Sequence, residues 1–269
     1  MPRLLVDLTT FRARHQAALE QDQARHNLML GLLGVAEKDP TKVRLWSLGD
    51  GSRCALQMGE RNLVLGDLEG DDCARLAEDM RAHSFPGFVG PDGVPVAFAN
   101  ALHDLGLRSS LSMPQRILSL SEAPVFPGVP GEGRAAQPEE VELYADWLIA
   151  FCIDGKVPEG PPERNEILAR GIDRPVFFWE VNGRPVAMAA RTRDTRDGTN
   201  VSFVYTPREL RGRWYAGSVT AHVCREIFSS GKKLAFLYTD ARNPFSNRAY
   251  EKIGFRFHCE ASHWSRAGL

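Results

Sequence analysis

The run Leu234-Ala235-Phe236-Leu237-Tyr238 is apolar without a break. A strand of that kind is covered on both faces and belongs in the centre of a sheet. What precedes it names the neighbour. Ala216, Val219, Thr220, Val223, Cys224, Ile227 and Phe228 fall on one stripe of a helix predicted over Tyr215 to Phe228. Before that helix, Asn200 to Tyr205 reads as a strand. Strand, helix and strand form a βαβ unit, whose crossover is right-handed. The predicted class is α/β (α+β mixed sheet), with the sheet splaying between the strands at Asn200 and Leu234.

Around this unit the spacing predicts further elements. A helix follows Pro138 and its acidic first turn, with Leu143, Trp147, Leu148 and Phe151 on one face. A shorter helix spans about Glu163 to Ala169. Strands Val176–Val181 and Pro185–Ala190 are joined by Asn182-Gly183, a hairpin signal. A last helix, Pro244 to Lys252, stops at Gly254 and is followed by β-type stretches at Phe255–His258 and Ser262–Trp264. In the first half, a helix is expected from Arg12 to Leu33, ended with help from Gly31 and Gly34. Strands are expected at Val43–Leu48, Cys54–Met58, Asn62–Leu65 and Arg116–Leu120, and helices at Asp72–His83 and Val96–Leu105. Pro86-Gly87 and Gly90-Pro91-Asp92-Gly93 read as turns. Between the halves, Ala123-Pro124-Val125-Phe126-Pro127-Gly128-Val129-Pro130-Gly131-Glu132-Gly133 is too rich in Pro and Gly for a helix or central strand. The expected division is therefore an N-terminal domain over 1–122, a linker over 123–134 and a second domain over 135–269.

Charge narrows the function. Lys and Arg total 33 against 34 for Asp and Glu, a net charge of −1, which argues against a nucleic-acid partner. The longest apolar stretch, Leu28 to Ala36, is too short to span a membrane. Asp7 and Arg12 interrupt any signal-peptide core, and five scattered cysteines without a CxxC pattern suit a reduced, cytoplasmic protein. His258, Cys259 and His263 do not form a metal set, because alternation sends His258 and Cys259 to opposite faces; no metal is expected. Asn200-Val201-Ser202 has the form of a glycosylation site, which a chain without a secretory signal does not use.

Two junctions carry chemistry. Val204-Tyr205-Thr206-Pro207-Arg208-Glu209-Leu210-Arg211-Gly212-Arg213-Trp214-Tyr215-Ala216 runs from strand through a basic loop into a helix. Free N–H groups and the positive dipole end at such a helix start attract phosphate, and Arg211 and Arg213 add charge. A solvated basic loop is the plainer reading. In the second junction, Tyr238 to Phe255, Asn243 before Pro244 has the form of a helix N-cap, and Asn247 and Tyr250 share a helix face. Tyr250 by itself reads as a packing residue.

Together, the VYTP strand, the RGR-x-YA loop and helix, the LYTD strand and the N-P-x-S-N-x-x-Y-x-K-I-G-F helix resemble the GNAT superfamily of N-acetyltransferases. The resemblance covers Arg174 to His258 and is most specific from Leu237 to Phe255. The first half, with Asn27-Leu28-Met29-Leu30-Gly31, is similar to the degenerate N-terminal domain of two-domain bacterial members. The resemblance implies an acyl-CoA site, with acetyl-CoA as cosubstrate. The backbone of Phe203, Val204 and Tyr205 would pair with the pantetheine arm. The loop of Arg211, Gly212, Arg213, Trp214, Tyr215 and Ala216 would wrap the diphosphate. Asn243 and Asn247 would line the cofactor, and Tyr250 would be the general acid. The family loop is Arg/Gln-x-x-Gly-x-Gly/Ala; here Trp214 stands at the central glycine, where backbone must approach phosphate closely.

The implied reaction is direct attack of a primary amine, on a small molecule or other amino-group acceptor, on the thioester. N–H groups near Val204 would polarise its carbonyl. The strand Asn200–Tyr205 has no carboxylate for a base, and Glu180, Asp194 and Asp197 are the candidates by proximity. Trp214 and the missing base motivate an alternative, a non-catalytic acyl-CoA-binding or regulatory module. The first half is expected to form part of the acceptor side, a homodimer stays open, and neither nucleic acid nor membrane is expected as a partner.

Overall fold

A computed structural model describes residues 4–267. The first half contains α1 (Leu8–Phe11), α2 (Ala17–Leu19), α3 (Asn27–Ala36), β1 (Val43–Ser47), β2 (Cys54–Met58), β3 (Leu63–Leu65), α4 (Gly70–Met80), β4 (Gly87–Pro91), α5 (Val94–Asp104) and β5 (Ser109–Leu120). The second contains β6 (Glu132–Ala135), α6 (Val141–Asp154), α7 (Arg164–Arg170), β7 (Val176–Val181), β8 (Arg184–Asp194), β9 (Gly198–Tyr205), α8 (Tyr215–Ser229), β10 (Leu234–Asp240), α9 (Pro244–Ile253) and β11 (Arg256–Arg266). The Pro/Gly-rich stretch is irregular from 121 to 131, and β6 begins inside it.

Among the described residues all strands join one sheet, in the order β1-β2-β3-β4-β11-β5-β10-β9-β8-β7-β6. The order has a pseudo-twofold centre between β11 and β5. Each half contains a parallel βαβ unit, β3-α4-β4 and β9-α8-β10. Each half also sends its last strand into the other. β5 runs antiparallel to β10, from Ala235↔Leu120 to Asp240↔Gln115, and β11 runs antiparallel to β4, from Ala261↔Pro91 to Ser265↔Gly87. The exchanged strands then pair with each other along nearly their whole length. This exchange leaves neither half with an exposed inner edge.

Two layers of helix cover the second half of the sheet. On one face Val219, Val223 and Ile227 of α8 pack on Ala187, Ala189, Val201 and Leu237, so the stripe read from the sequence is the buried one. On the other face Tyr144 and Leu148 of α6 meet Phe178, Met188, Ala190 and Tyr205. Asn182 and Gly183 take positive φ values of 50° and 71° in the β7–β8 turn, as that hairpin demands.

Four local expectations are corrected. The helix expected from Arg12 to Leu33 is broken between Asp22 and Asn27. There the buried Gln23 side chain accepts from Asp197 N (2.8 Å) and Thr195 Oγ1 (2.7 Å), and its amide donates to Asp197 Oδ2 at 2.7 Å. Those tertiary bonds outweigh local helix preference. Gly31 lies inside α3 rather than ending it, because a Cβ there would sit 2.5 Å from Arg193 Cβ. The turns expected around Pro86–Gly93 instead flank the fully buried strand β4. A Cβ on Gly87 would meet Trp264 O at 2.2 Å, so this glycine marks a close strand approach. Finally, the two stretches expected after Phe255 form the single strand β11, with irregularities after Phe257 and His263.

Candidate acyl-CoA site

The parallel pair at the centre of the second half comes apart after three residues. β9 and β10 pair only at Leu234↔Gly198, Ala235↔Thr199 and Phe236↔Asn200. A bulge drives them apart: between Ala190↔Ser202 and Met188↔Tyr205, β9 advances three residues while β8 moves back two. Phe203 sits in that bulge with φ +55°, a conformation that aromatic residues adopt only where packing enforces it. Phe151 packs edge-on against its ring at 5.7 Å, and the Arg174 guanidinium lies 5.4 Å from the ring centroid. Val204 turns to the α8 face and Tyr205 to the α6 face, where Trp147 is 6.0 Å away. Residues 201–205 of β9 thus have no β10 partner. The splay expected from the sequence is present.

Beyond the fork, the loop is tied down on its outer side. Arg208 and Arg211 both donate to the Asp154 carboxylate at the end of α6, and Arg211 Nε donates to Thr206 O at 3.0 Å. The Arg208 bond, reinforced by Arg211, holds the Asp154 carboxyl below its usual range. Arg211 is therefore turned to α6, while Arg213 is exposed. The chain then takes two left-handed steps, at Gly212 (φ +79°) and Trp214 (φ +64°). Among the described residues, the N–H groups of 212–217 meet no protein acceptor; the first amide satisfied is Ser218 N, which donates to Trp214 O at 3.0 Å. The Trp214 indole lies beside Gly217, with Lys252 Nζ 4.1 Å from a ring centroid. It rests against α9. Tyr215 and Ala216 open α8.

The helix after β10 completes the group. The Asn243 side chain caps α9 by accepting from Phe245 N (3.2 Å) and Ser246 N (3.3 Å). Asn247 is buried, and its amide donates to Asp240 O (3.3 Å) and Ala241 O (3.4 Å), closing the turn from β10. Tyr250 packs edge-on against Phe255 at 6.0 Å and against the α8 core. Burial raises its phenol pKa far above the ordinary value, and Cys224 adds to the effect.

The candidate bases lie elsewhere. Glu180 pairs with Arg134 at 2.6 Å near the sheet edge. Asp194 accepts from Thr199 Oγ1 at 2.7 Å. Asp197 binds Gln23 and Arg196 before the paired end of β9. Instead, a carboxylate that sequence reasoning passed over reaches across the halves. Glu159, in the loop after α6, accepts from Asn62 Nδ2 at 2.6 Å and lies 3.2 Å from His263 Nε2. Burial raises its pKa, but His263 and Asn62 outweigh that and leave it lowered. His258 is on another side, paired with Asp22 at 2.8 Å.

The first half contains the counterpart of this site in altered form. The helix start after β3 carries Glu69, Asp71 and Asp72. Asp72 is buried, accepts from Arg53 Nε (2.7 Å) and Nη2 (2.9 Å), and bonds the Glu69 amide. Three carboxylates at a helix start repel a phosphate where α8 would welcome one.

The FR47-like protein family model matches residues 181–265. Among solved structures, a GCN5-related N-acetyltransferase from Kribbella flavida is 19% identical, with TM-score 0.60, covering 89% of this chain and 96% of that one. A Drosophila protein is 12% identical with TM-score 0.68, covering 97% of each chain. A tandem GNAT protein from the clavulanic acid biosynthesis pathway is 12% identical with TM-score 0.55, covering 99% of this chain and 98% of its own. No curated protein matches the sequence. By its two βαβ units, the fork in its sheet and these likenesses, the chain has the GNAT fold in tandem, with an FR47-like segment at residues 181–265.

Proposed function

We propose that the chain is an acyl-CoA-dependent N-acyltransferase, with acetyl-CoA as the donor and a primary amine as the acceptor. The observation that carries this reading is the run of unaccepted amides at 212–217, set at the start of α8 beside the forked strands. The residues present fit the donor. Amides 212–217 would hold its diphosphate, with Arg213 adding charge and Arg211 fixing the loop from behind. The backbone of Phe203, Val204 and Tyr205 would align the pantetheine amides as a strand does, in the place β10 vacates. Asn243 and Asn247 would shape the donor's far wall by holding the start of α9. When bound, the donor supplies the activated thioester carbonyl, and the N–H groups near Val204 would polarise it.

The raised phenol of Tyr250 supports a part for it. A phenol raised above ~10 stays protonated at neutral pH, whereas a thiol has a pKa of ~8.5. Tyr250 would therefore stabilise the departing sulfur by donating a hydrogen bond. The acceptor's proton would leave to water: the strand Asn200–Tyr205 carries no carboxylate, and His263 and Asn62 hold Glu159 in its weakly basic form. The acceptor would enter the cleft between the halves. Five unpaired cysteines suit a cytoplasmic setting.

The test is release of free thiol from acetyl-CoA across a panel of amines. Tyr250→Phe should lower kcat by ~100-fold or more while the acetyl-CoA Kd holds, the range of one general-acid contact. Tight acetyl-CoA binding with no thiol release on any amine would favour a non-catalytic acyl-CoA-binding module. The tryptophan in the loop and the absent base motivate that second reading.

A further inference from the structure

On the face of the sheet away from α8, where the two halves meet, stands an arginine with no counter-ion among the described residues. Arg193 is the extra residue of a bulge in β8, where the register passes from Thr192↔Asn200 to Asp194↔Thr199, and its φ is +48°. Gly31 of α3 presses on its stem. The side chain crosses β9 and brings its guanidinium to 5.8 Å from the Tyr238 ring centroid. Tyr238 lies two residues past Phe236↔Asn200, the last β9–β10 pair, so the charge sits at the fork itself.

Among the described residues, Arg193 makes no ion pair, and its Nε is buried without a partner. The residue as a whole is half-buried, between Gly31 and the Tyr238 ring. Burial lowers its pKa, Tyr238 and Glu159 act the other way, and the Arg174 charge works with burial. The carboxylate that acts on it, Glu159, does not neutralise it, being engaged by His263 and Asn62. A cation partly withdrawn from water, with its Nε buried and unpartnered, is stabilised by a paired anion. A bulge, a glycine contact and an aromatic face all fix its direction, leaving a planar fork of donors suited to a carboxylate.

We infer that Arg193 selects an acceptor that carries a carboxylate as well as the reacting amine. The inference rests on the acyl-transfer reading and adds the substrate class to it. The carboxylate pairs with the guanidinium over Tyr238, and the amine projects along β9 toward the thioester.

The test uses the full chain, acetyl-CoA, and glycine, β-alanine, γ-aminobutyrate, glutamate and phenylalanine, each beside its carboxamide. The best carboxylate should exceed its carboxamide in kcat/KM by ~100-fold, the scale of a lost charge-assisted pair at a polar site. Arg193→Met should bring that ratio to within about threefold of one and leave the acetyl-CoA Kd unchanged. Because it removes an unpaired buried charge, it should also hold or raise Tm. A ratio near one in the parent, or a ratio that survives in Arg193→Met, overturns the inference. So does a Tm lowered by more than about 5 °C, on the order of 2 kcal/mol for a chain this size, which would make the arginine structural. Thermal shift with the same carboxylates, with and without CoA, separates the two readings. A shift in the parent and not in Arg193→Met, with no thiol release from any amine, sinks acyl transfer and keeps the carboxylate site. Thiol release with no such shift sinks the site and keeps acyl transfer.

Discussion

Trp214 adopts φ +64° and ψ 11°, a conformation that costs a residue with a Cβ roughly 1–2 kcal/mol and costs glycine nothing. Replacing it changes two things at once, the ring and the backbone. Comparing Trp214→Gly with Trp214→Ala separates them. Both variants lose the ring packing on Gly217 and the contact with Lys252, which is worth ~0.5–1 kcal/mol at an exposed site. Only glycine relieves the backbone, and it gives back ~0.4–1 kcal/mol through the entropy of the unfolded chain. The difference leaves Trp214→Gly more stable than Trp214→Ala by about 1 kcal/mol, or ~2–4 °C in Tm by differential scanning calorimetry. The indole leans on α9, so both variants should bind acetyl-CoA within about threefold of the parent. An alanine variant as stable as the glycine variant would refute the left-handed assignment. A tightening beyond about thirtyfold in either would show that the indole obstructs the amides.

With water as the acceptor's base, kcat/KM should rise about tenfold per pH unit below the amine pKa; Tyr250, raised by burial, adds no falling limb below pH 10. A bell-shaped profile centred near neutrality would reveal a base. Burial alone would raise the Asp67 carboxyl, but bonds from His26, Ser52 and Arg25 outweigh it and set it well below its ordinary value. A depressed carboxylate stabilises the fold above its unfolded pKa of ~3.9 and loses that contribution as pH falls toward the folded value. Between pH 6 and pH 3.5, the parent should therefore lose more Tm than Asp67→Asn. Titration calorimetry should give one acetyl-CoA per chain; two would contradict the electrostatics of the α4 start.

Local chemistry was legible where it acts alone. Leu234–Tyr238, the α8 stripe, the Asn182-Gly183 hairpin and the Gly254 stop each depend on residues within a turn or a strand. The bulge at Phe203 is invisible by contrast, because the positive φ belongs to a phenylalanine held by Phe151 and Arg174 from other elements. Gly87 and Gly90 read as turn residues, yet they serve close strand contacts that only the exchanged β11 and neighbouring β3 create. Of the candidate site, the residue types of the loop and of α9 were readable in order. The turning of Arg211 to Asp154, and the reach of Glu159 and Arg193 into the cleft, were not, since no spacing rule links positions so distant in the chain.

The exchange of β5 and β11 offers a way for the first half to serve the site proposed in the second. The pseudo-twofold makes β4 antiparallel to β11, and so antiparallel to β10. The starts of β3 and β4 therefore face the same edge as the parting ends of β9 and β10. Asn62, just before β3, can thus meet Glu159, and α3 can press Gly31 onto Arg193. Carboxylates at the start of α4 would remove competition for the phosphates of the proposed donor. The strand geometry meanwhile commits that half to walling the cleft where an acceptor would lie. Neither contact survives if the halves separate, so positioning of the acceptor depends on the central β5–β11 pair as much as on any side chain at the fork.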